Sequence, residues 1–263
     1  MFYSKAVIQY DGSNYAGFQW QKNAHTIQAA INHALALVQN GICTTMSASR
    51  TDSGVHALEQ VIRITSSQPI EHPQLLEKLQ NVLPAQIRIL SLHPSQRSFN
   101  PALDSQSKQY SYLFTNRQIA SSEDRKYIAN ISNPLNLQWI RACTKMIQGK
   151  HDFCNFVSTG SSVKTTIRDV SLCELHTINP HHFFADSPLF QIDLSLQECY
   201  QLKIEANGFL KQMIRHLVAA LWRVGSGKLS VDEFAALLQA PKHPQQLWRV
   251  ATPSGLYLQR INY

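Results

Sequence analysis

The chain has 263 residues, 44% of them hydrophobic, with 24 basic side chains against 17 acidic ones, a formal charge of +7 and a pI near 9.2. That length allows one large domain or two smaller ones, each with its own core, and the basic field favours a polyanionic partner such as nucleic acid or an acidic membrane face. No window holds the ~18 consecutive apolar residues of a membrane span, and "MFYSKAVIQYDG" is not a signal sequence, so a soluble, cytosolic protein is expected. Cys43, Cys143, Cys154, Cys173 and Cys199 are odd in number, widely spread and free of Cys-x-x-Cys or zinc spacing, which excludes a disulfide scaffold and a zinc ribbon.

In chain order, "KAVIQY" reads as a strand and leads through the turn-rich "DGSN" to Thr26, a helix N-cap. Ile27, Ile31, Ala34, Leu35 and Val38 recur at helical spacing and stop at Asn40-Gly41. "ICTTMSAS" and "LEQVIRIT" are strands, Pro73 opens a second helix bearing Leu75, Leu76, Leu79 and Leu83, and "QIRILSLHP" closes the first half as a strand. The order is β-α-β-β-α-β.

The second half repeats it with insertions. "KQYSYLFT" is a strand, the polar "TNRQIASSEDRKY" at 115–127 a mobile insertion, and Leu137 to Gln148 a helix. "TIRDVSLCEL", "FQIDLSL" and "YQLKIEAN" follow as strands, then a long helix from about Phe209 to Val224 ended by Gly225 and Gly227. A short helix starts at Ser230, which stands at capping-box spacing from Glu233, and "GLYLQRINY" is the last strand. The fold class expected is α+β: two ferredoxin-like split β-α-β halves, residues 1–103 and 104–263, with helices on one face of each sheet and a cleft between them.

The stretch "SASRTDSGVHALEQV" at 47–61 is the densest in chemistry. Asp52, Ser53 and Gly54 are ordinary turn residues, since Asp bonds its own backbone and Gly takes positive φ. A plain hairpin does not account for Arg50, two residues before the acid, or His56, four after it. A guanidinium beside a carboxylate holds it ionised, which suits a nucleophile or base. Ser53, His56 and Asp52 are too close in one loop for a hydrolase triad, and no Gly-x-Ser-x-Gly is present. "GSGK" at 225–228 lacks the first half of a phosphate-binding loop and follows a helix. His181, His182 and Asp186 read as a solvated loop before a metal site.

Lys108, Tyr110, Tyr112 and Phe114 alternate and share one face of a strand. Phe114 reads as core; Lys108 and Tyr110 form either core or a base-stacking platform beside a phosphate contact. Lys211 and Arg215 lie four apart on the predicted long helix, opposite Phe209, Met213, Leu217 and Leu221, where a solvated polar face is the default.

Taken together, "SRTDSGVHA", "YDGSNYAGFQ", "KQYSY", "KHDFCNF", "NGFLKQMIRHLVAAL" and "PSGLYL" resemble, in order, the motifs of the TruA family of tRNA pseudouridine synthases, from residue 10 to 259. The resemblance implies a homodimer without cofactor or metal that isomerises uridines at tRNA positions 38 to 40 in the anticodon stem-loop. It makes Asp52 the essential carboxylate, Arg50 the group supporting the place of the flipped-out nucleotide, Tyr110 the side chain against the target base, and Arg215 the guanidinium paired with the acid. Ser49 and Phe18 replace the Gly and Trp usual in the family, and Ala102 stands where an arginine is common. A reading from another class is a non-catalytic RNA-binding protein that uses Tyr110 and Tyr112 as stacking platforms.

Overall fold

Polar and apolar residues alternate in "FYSKAVIQY", so strand β1 (Phe2–Tyr10) buries Ser4, Ala6 and Ile8 on one face and carries Tyr3, Lys5 and Val7 on the other. Helix α1 (Ile27–Val38) starts where expected: the Thr26 hydroxyl accepts from the Ala29 N–H, and Ile27, Ile31, Ala34 and Leu35 form its buried stripe. Strands β2 (Cys43–Ser47) and β3 (His56–Ser66) follow, then α2 (His72–Val82) with Pro73 in its first turn, then β4 (Ile87–Pro94). The sheet order is β4-β1-β3-β2 with every neighbour antiparallel, the split β-α-β arrangement. Gln28 donates to the Thr45 carbonyl and Ser4 bonds His72, so both helices lie on the face that buries Ser4, Ala6 and Ile8.

The second half contributes β5 (Ser107–Thr115), α3 (Asp124–Tyr127), β6 (Ala129–Asn130), α4 (Leu137–Ile147), β7 (Gly149–Asp152) and β8 (Ile167–Ile178). After them come α5 (Pro180–Phe184), β9 (Cys199–Ala206), α6 (Met213–Gly225), α7 (Val231–Gln239) and β10 (Leu256–Asn262). Strand β9 lies antiparallel between β5 and β8, with β7 on the outer side of β8 and β6 parallel to β5. Helix α4 packs on β8 and on α6, so the split β-α-β arrangement recurs. The capping box is formed: Ser230 N–H donates to the Glu233 carboxylate, and Glu233 N–H to the Ser230 hydroxyl.

The computed structural model describes residues 1–119, 121–160, 163–190, 194–239 and 248–263. It divides into one unit of Met1–Gln106, Phe184–Gln191 and Tyr257–Tyr263, and a second of Ser107–Phe183 and Ile192–Leu256. A cut between residues 103 and 104 misses the return of two late segments to the first unit. Strand β10 pairs in parallel with the start of β3 through Tyr257 and Leu258, and Gln9 Oε1 accepts from the Ser187 hydroxyl and the Leu189 N–H.

Three expectations change. Helix α6 begins at Met213, not Phe209, because Gln212 sits at φ 60° in the left-handed region and breaks the turn before it. Lys211 is therefore in a turn, and it does not share a helix face with Arg215. In "FQIDLSL", Phe190 and 194–196 are not strand, and 191–193 lie outside the described residues. The segment 115–127 is not a bare loop: it ends in α3, whose buried Asp124 accepts hydrogen bonds from the Ser195 N–H and hydroxyl. All the cysteines are free thiols, and no helix among the described residues is long and apolar enough to cross a membrane.

Candidate active site

Between β2 and β3 the chain turns through 48–55, and backbone groups at both ends and in the middle of that turn are pinned. Ala48 N–H donates to the Val61 carbonyl, and the Gln60 side-chain amide bonds Ser49 twice, accepting from its N–H at 3.2 Å and donating to its carbonyl at 2.7 Å. The Thr51 hydroxyl meets the buried Tyr10 hydroxyl at 2.8 Å, and its carbonyl accepts from the Phe18 N–H at 3.1 Å. Val55 N–H closes back on the Asp52 carbonyl, with Gly54 at φ 76° as the turn's third residue. The Gly54 N–H and the Ser53 hydroxyl both donate to the Tyr15 carbonyl, which occupies Ser53 and removes it as a nucleophile. Out of this frame project an exposed Arg50 and a half-buried Asp52.

The segment "YDGSNYAGF" at 10–18 is the clamp. A Cβ at Gly12 would stand 2.0 Å from the Val55 carbonyl oxygen, and one at Gly17 (φ 94°) 2.7 Å from the Thr51 carbonyl oxygen, so both positions exclude a side chain. His56 turns away from solvent. Its Nδ1 lies 3.2 Å from Gly12 N and 3.1 Å from the Asp11 carboxylate, and its ring stacks on Tyr257 at 4.7 Å and meets Phe190 edge-on. Burial alone would raise the Asp11 carboxyl; the hydrogen bond and charge of His56, with hydrogen bonds from Ser13, outweigh it and hold the group well below the ordinary carboxylate range. His56 thus secures the turn to the core. Its place in the motif is structural, which its spacing from Asp52 did not reveal.

In the second unit, Tyr110 on β5 is 6% exposed and lies edge-on to Phe209 at 5.1 Å. Tyr112 is fully buried, donates to the Thr252 carbonyl at 2.7 Å and packs edge-on against Trp222; burial pushes its phenol far up, against the pull of Arg215. It cannot serve as a stacking platform, so the binding-only reading loses one of its two aromatics. Burial, then the charge of Arg168, lowers the Lys108 ammonium. Arg215, 9% exposed in the first turn of α6, donates from Nε to the Ala251 carbonyl at 2.7 Å. Next to it, burial and then the Arg215 charge hold His216 down at about 4, and its Nε2 meets the Ser158 hydroxyl. Gly255 of "PSGLYL" lets that segment lie against β5: its carbonyl accepts from the Leu113 N–H, and a Cβ there would stand 2.2 Å from the Leu113 oxygen.

Arg50 and Asp52 thus share the first unit, Tyr110 and Arg215 the second. Sequence reasoning missed Tyr10, Gln60, Gly12 and Gly17 as the turn's supports. The signal available was two glycines in a segment that is neither helix nor strand. Among the described residues no group of His, Cys, Asp and Glu is arranged to hold a metal ion, and His181 and His182 lie on the short α5. Chemically, a partly exposed carboxylate on a rigid turn, one residue removed from an arginine, is suited to act as a base or nucleophile on a substrate that the arginine also touches.

A family model described as tRNA pseudouridine synthase matches residues 143–263. Over 98% of this chain and of the relative, the chain is 34% identical to a tRNA pseudouridine synthase A of Thermoanaerobacter sp. (strain X514). It is 35% identical to a tRNA pseudouridine synthase A 2 of Desulfotalea psychrophila over 99% of this chain and 98% of the relative. To a tRNA pseudouridine synthase A of Streptococcus pneumoniae it is 30% identical, over 98% of each. Identity of 30% or more sustained over nearly the whole chain, and so across both units, makes the chain a member of the tRNA pseudouridine synthase family, a family of isomerases.

Proposed function

We propose that the protein converts uridine to pseudouridine at positions 38, 39 and 40 of the tRNA anticodon stem-loop, in the cytoplasm, as a homodimer and without a cofactor, with Asp52 as its one catalytic carboxylate. The bond from N1 to the ribose C1′ breaks, the base turns, and C5 bonds C1′; the C5 proton leaves and N1 gains one, so nothing is oxidised or reduced. Asp52 starts the sequence either by attacking the sugar or by removing a ribose proton.

The observation that carries this reading is the rigidity built around the turn. A loop that merely joined two strands would not need its carbonyls and amides held by Tyr15, Phe18 and Gln60 and its Thr51 hydroxyl held by Tyr10, nor glycines at 12 and 17 to admit its backbone. Such preorganisation suits a reactive group that must meet one atom of a substrate. Reaching a stacked or paired uridine requires extruding it, at a cost of a few kcal/mol. In this scheme Arg50, exposed beside Asp52, fills the vacated place, Tyr110 lies against the target base, and Arg215 pairs with the acid.

The test is product analysis. Purified protein is incubated with tRNA, and pseudouridine is located by mass spectrometry after selective labelling. New pseudouridine at 38, 39 or 40 is expected. Tight binding with no pseudouridine anywhere would leave only an RNA-binding protein.

A further inference from the structure

The first unit's sheet has a face that α1 and α2 do not cover, and across it runs a row of bases without an acid. Lys5 on β1 stands directly opposite Arg63 on β3; His93 on β4 flanks Lys5, and Met46 on β2 flanks Arg63. The rows on either side hold Tyr3, Thr65 and Thr44, and Val7, Val61 and Ser91, so no carboxylate stands among them. Like charges directly opposed on neighbouring strands destabilise a sheet, and here nothing in the rows offsets them.

Instead, aromatic rings and carbonyls hold the two cations in place. Lys5 Nζ lies 4.1 Å from the centre of the Tyr263 ring and 5.4 Å from that of Phe99, and the Arg63 guanidinium lies over Tyr3 at 5.7 Å. Arg63 Nη1 donates to the Phe99 carbonyl at 2.6 Å, while its Nε has no hydrogen-bond partner. The Tyr263 hydroxyl is fixed to the Pro101 carbonyl, and the carboxylate of that turn, Asp104, accepts from the Asn100 N–H. Two cations held in place by rings and carbonyls, with no carboxylate in the strand rows around them, are a site for an oxyanion.

We propose that Lys5 and Arg63 form a phosphodiester-binding site that holds the RNA backbone on the open face of this sheet, beside aromatic rings that restrict the cations' motion. The identification of the anion as RNA rests on the reading of the protein as a tRNA-modifying enzyme. Such a contact positions the RNA and carries no sequence information, so it sets affinity and not the choice of uridine.

The experiment measures tRNA binding against salt for the full-length wild type, for Lys5→Gln/Arg63→Gln, for the charge-conserving Lys5→Arg/Arg63→Lys, and for Lys78→Gln on the exposed side of α2. Each phosphate neutralised contributes about 0.7 to 0.9 to the slope of log K against log salt. The double Gln variant is expected to lose roughly one to two in slope. Its KM for tRNA should rise while kcat and the modified positions stay those of the wild type, which also reports an intact fold. The charge-conserving pair and Lys78→Gln should keep the wild-type slope. An unchanged slope in the double Gln variant, or an equal loss in Lys78→Gln, would overturn the site. Pseudouridine counted in the same samples separates the two ideas: no product from the wild type defeats the proposed reaction, whereas the slopes decide the phosphate site alone.

Discussion

Replacing Gly12 with alanine tests the clamp without touching any charged group. The added Cβ would stand 2.0 Å from the Val55 oxygen and 2.7 Å from its carbonyl carbon, closer than non-bonded carbon ever approaches, so the turn must open by about 1 Å to reach roughly 3 Å. Val55 N–H is bonded to the Asp52 carbonyl, and the shift therefore passes directly to the carboxylate's own residue. Overpacking of this kind costs about 1–3 kcal/mol, and because backbone is struck the upper end applies, about 5–10 °C in melting temperature. Displacing a reacting group by about 1 Å costs on the order of 100-fold in rate. We expect Gly12→Ala to fold, to bind tRNA nearly as well as wild type, and to lose kcat on that order in a single-turnover assay. Thr51→Val, which loses only the bond to Tyr10, should lose less of both, about 1 kcal/mol of stability. Wild-type kcat in Gly12→Ala would refute the idea that the 10–18 segment positions the carboxylate.

Arg50→Ala should keep the fold, since the side chain is exposed, and lose most turnover; a tRNA whose target uridine is already unpaired should recover part of it, measured as kcat ratios on paired and unpaired substrates. His216, held at about 4 against an ordinary 6.5, binds its proton less readily folded than unfolded, so its contribution to stability is complete above about pH 6.5 and is lost as pH falls from there towards 4. Urea midpoints should fall over that window in the wild type and fall less in His216→Gln; parallel curves would contradict the assignment.

Local chemistry was the part of the fold legible in the sequence. Thr26 and the Ser230–Glu233 pair announce helix starts because a cap is satisfied within a few residues, and both caps are formed. The strands and helices of each split β-α-β repeat follow from periodicity for the same reason. What periodicity does not carry is a single residue's dihedral: Gln212 in the left-handed region moves the start of α6 and takes Lys211 off the helix. Nor does it carry long-range pairing, so the return of 184–191 and 257–263 to the first unit was hidden until Gln9 and His56 found their partners. Arg50 and Asp52 stood out in the sequence as candidates on the turn, but the turn's support did not. His56 looked like a participant and is a buried anchor, while Tyr112, equal to Tyr110 in the alternation, is locked to Thr252 in the core.

The central claim is that Asp52 is the reactive carboxylate and not merely a turn residue. Asparagine makes the same local backbone bonds and tolerates the same dihedrals, so Asp52→Asn preserves the turn and removes only the charge. Pseudouridine formation and tRNA binding are to be measured together in freshly purified Asp52→Asn and Asp52→Ala, the latter being immune to regeneration of the acid by deamidation. The account predicts normal folding, tRNA affinity within a few-fold of wild type and no detectable pseudouridine. Pseudouridine made at the wild-type rate by Asp52→Ala would contradict it.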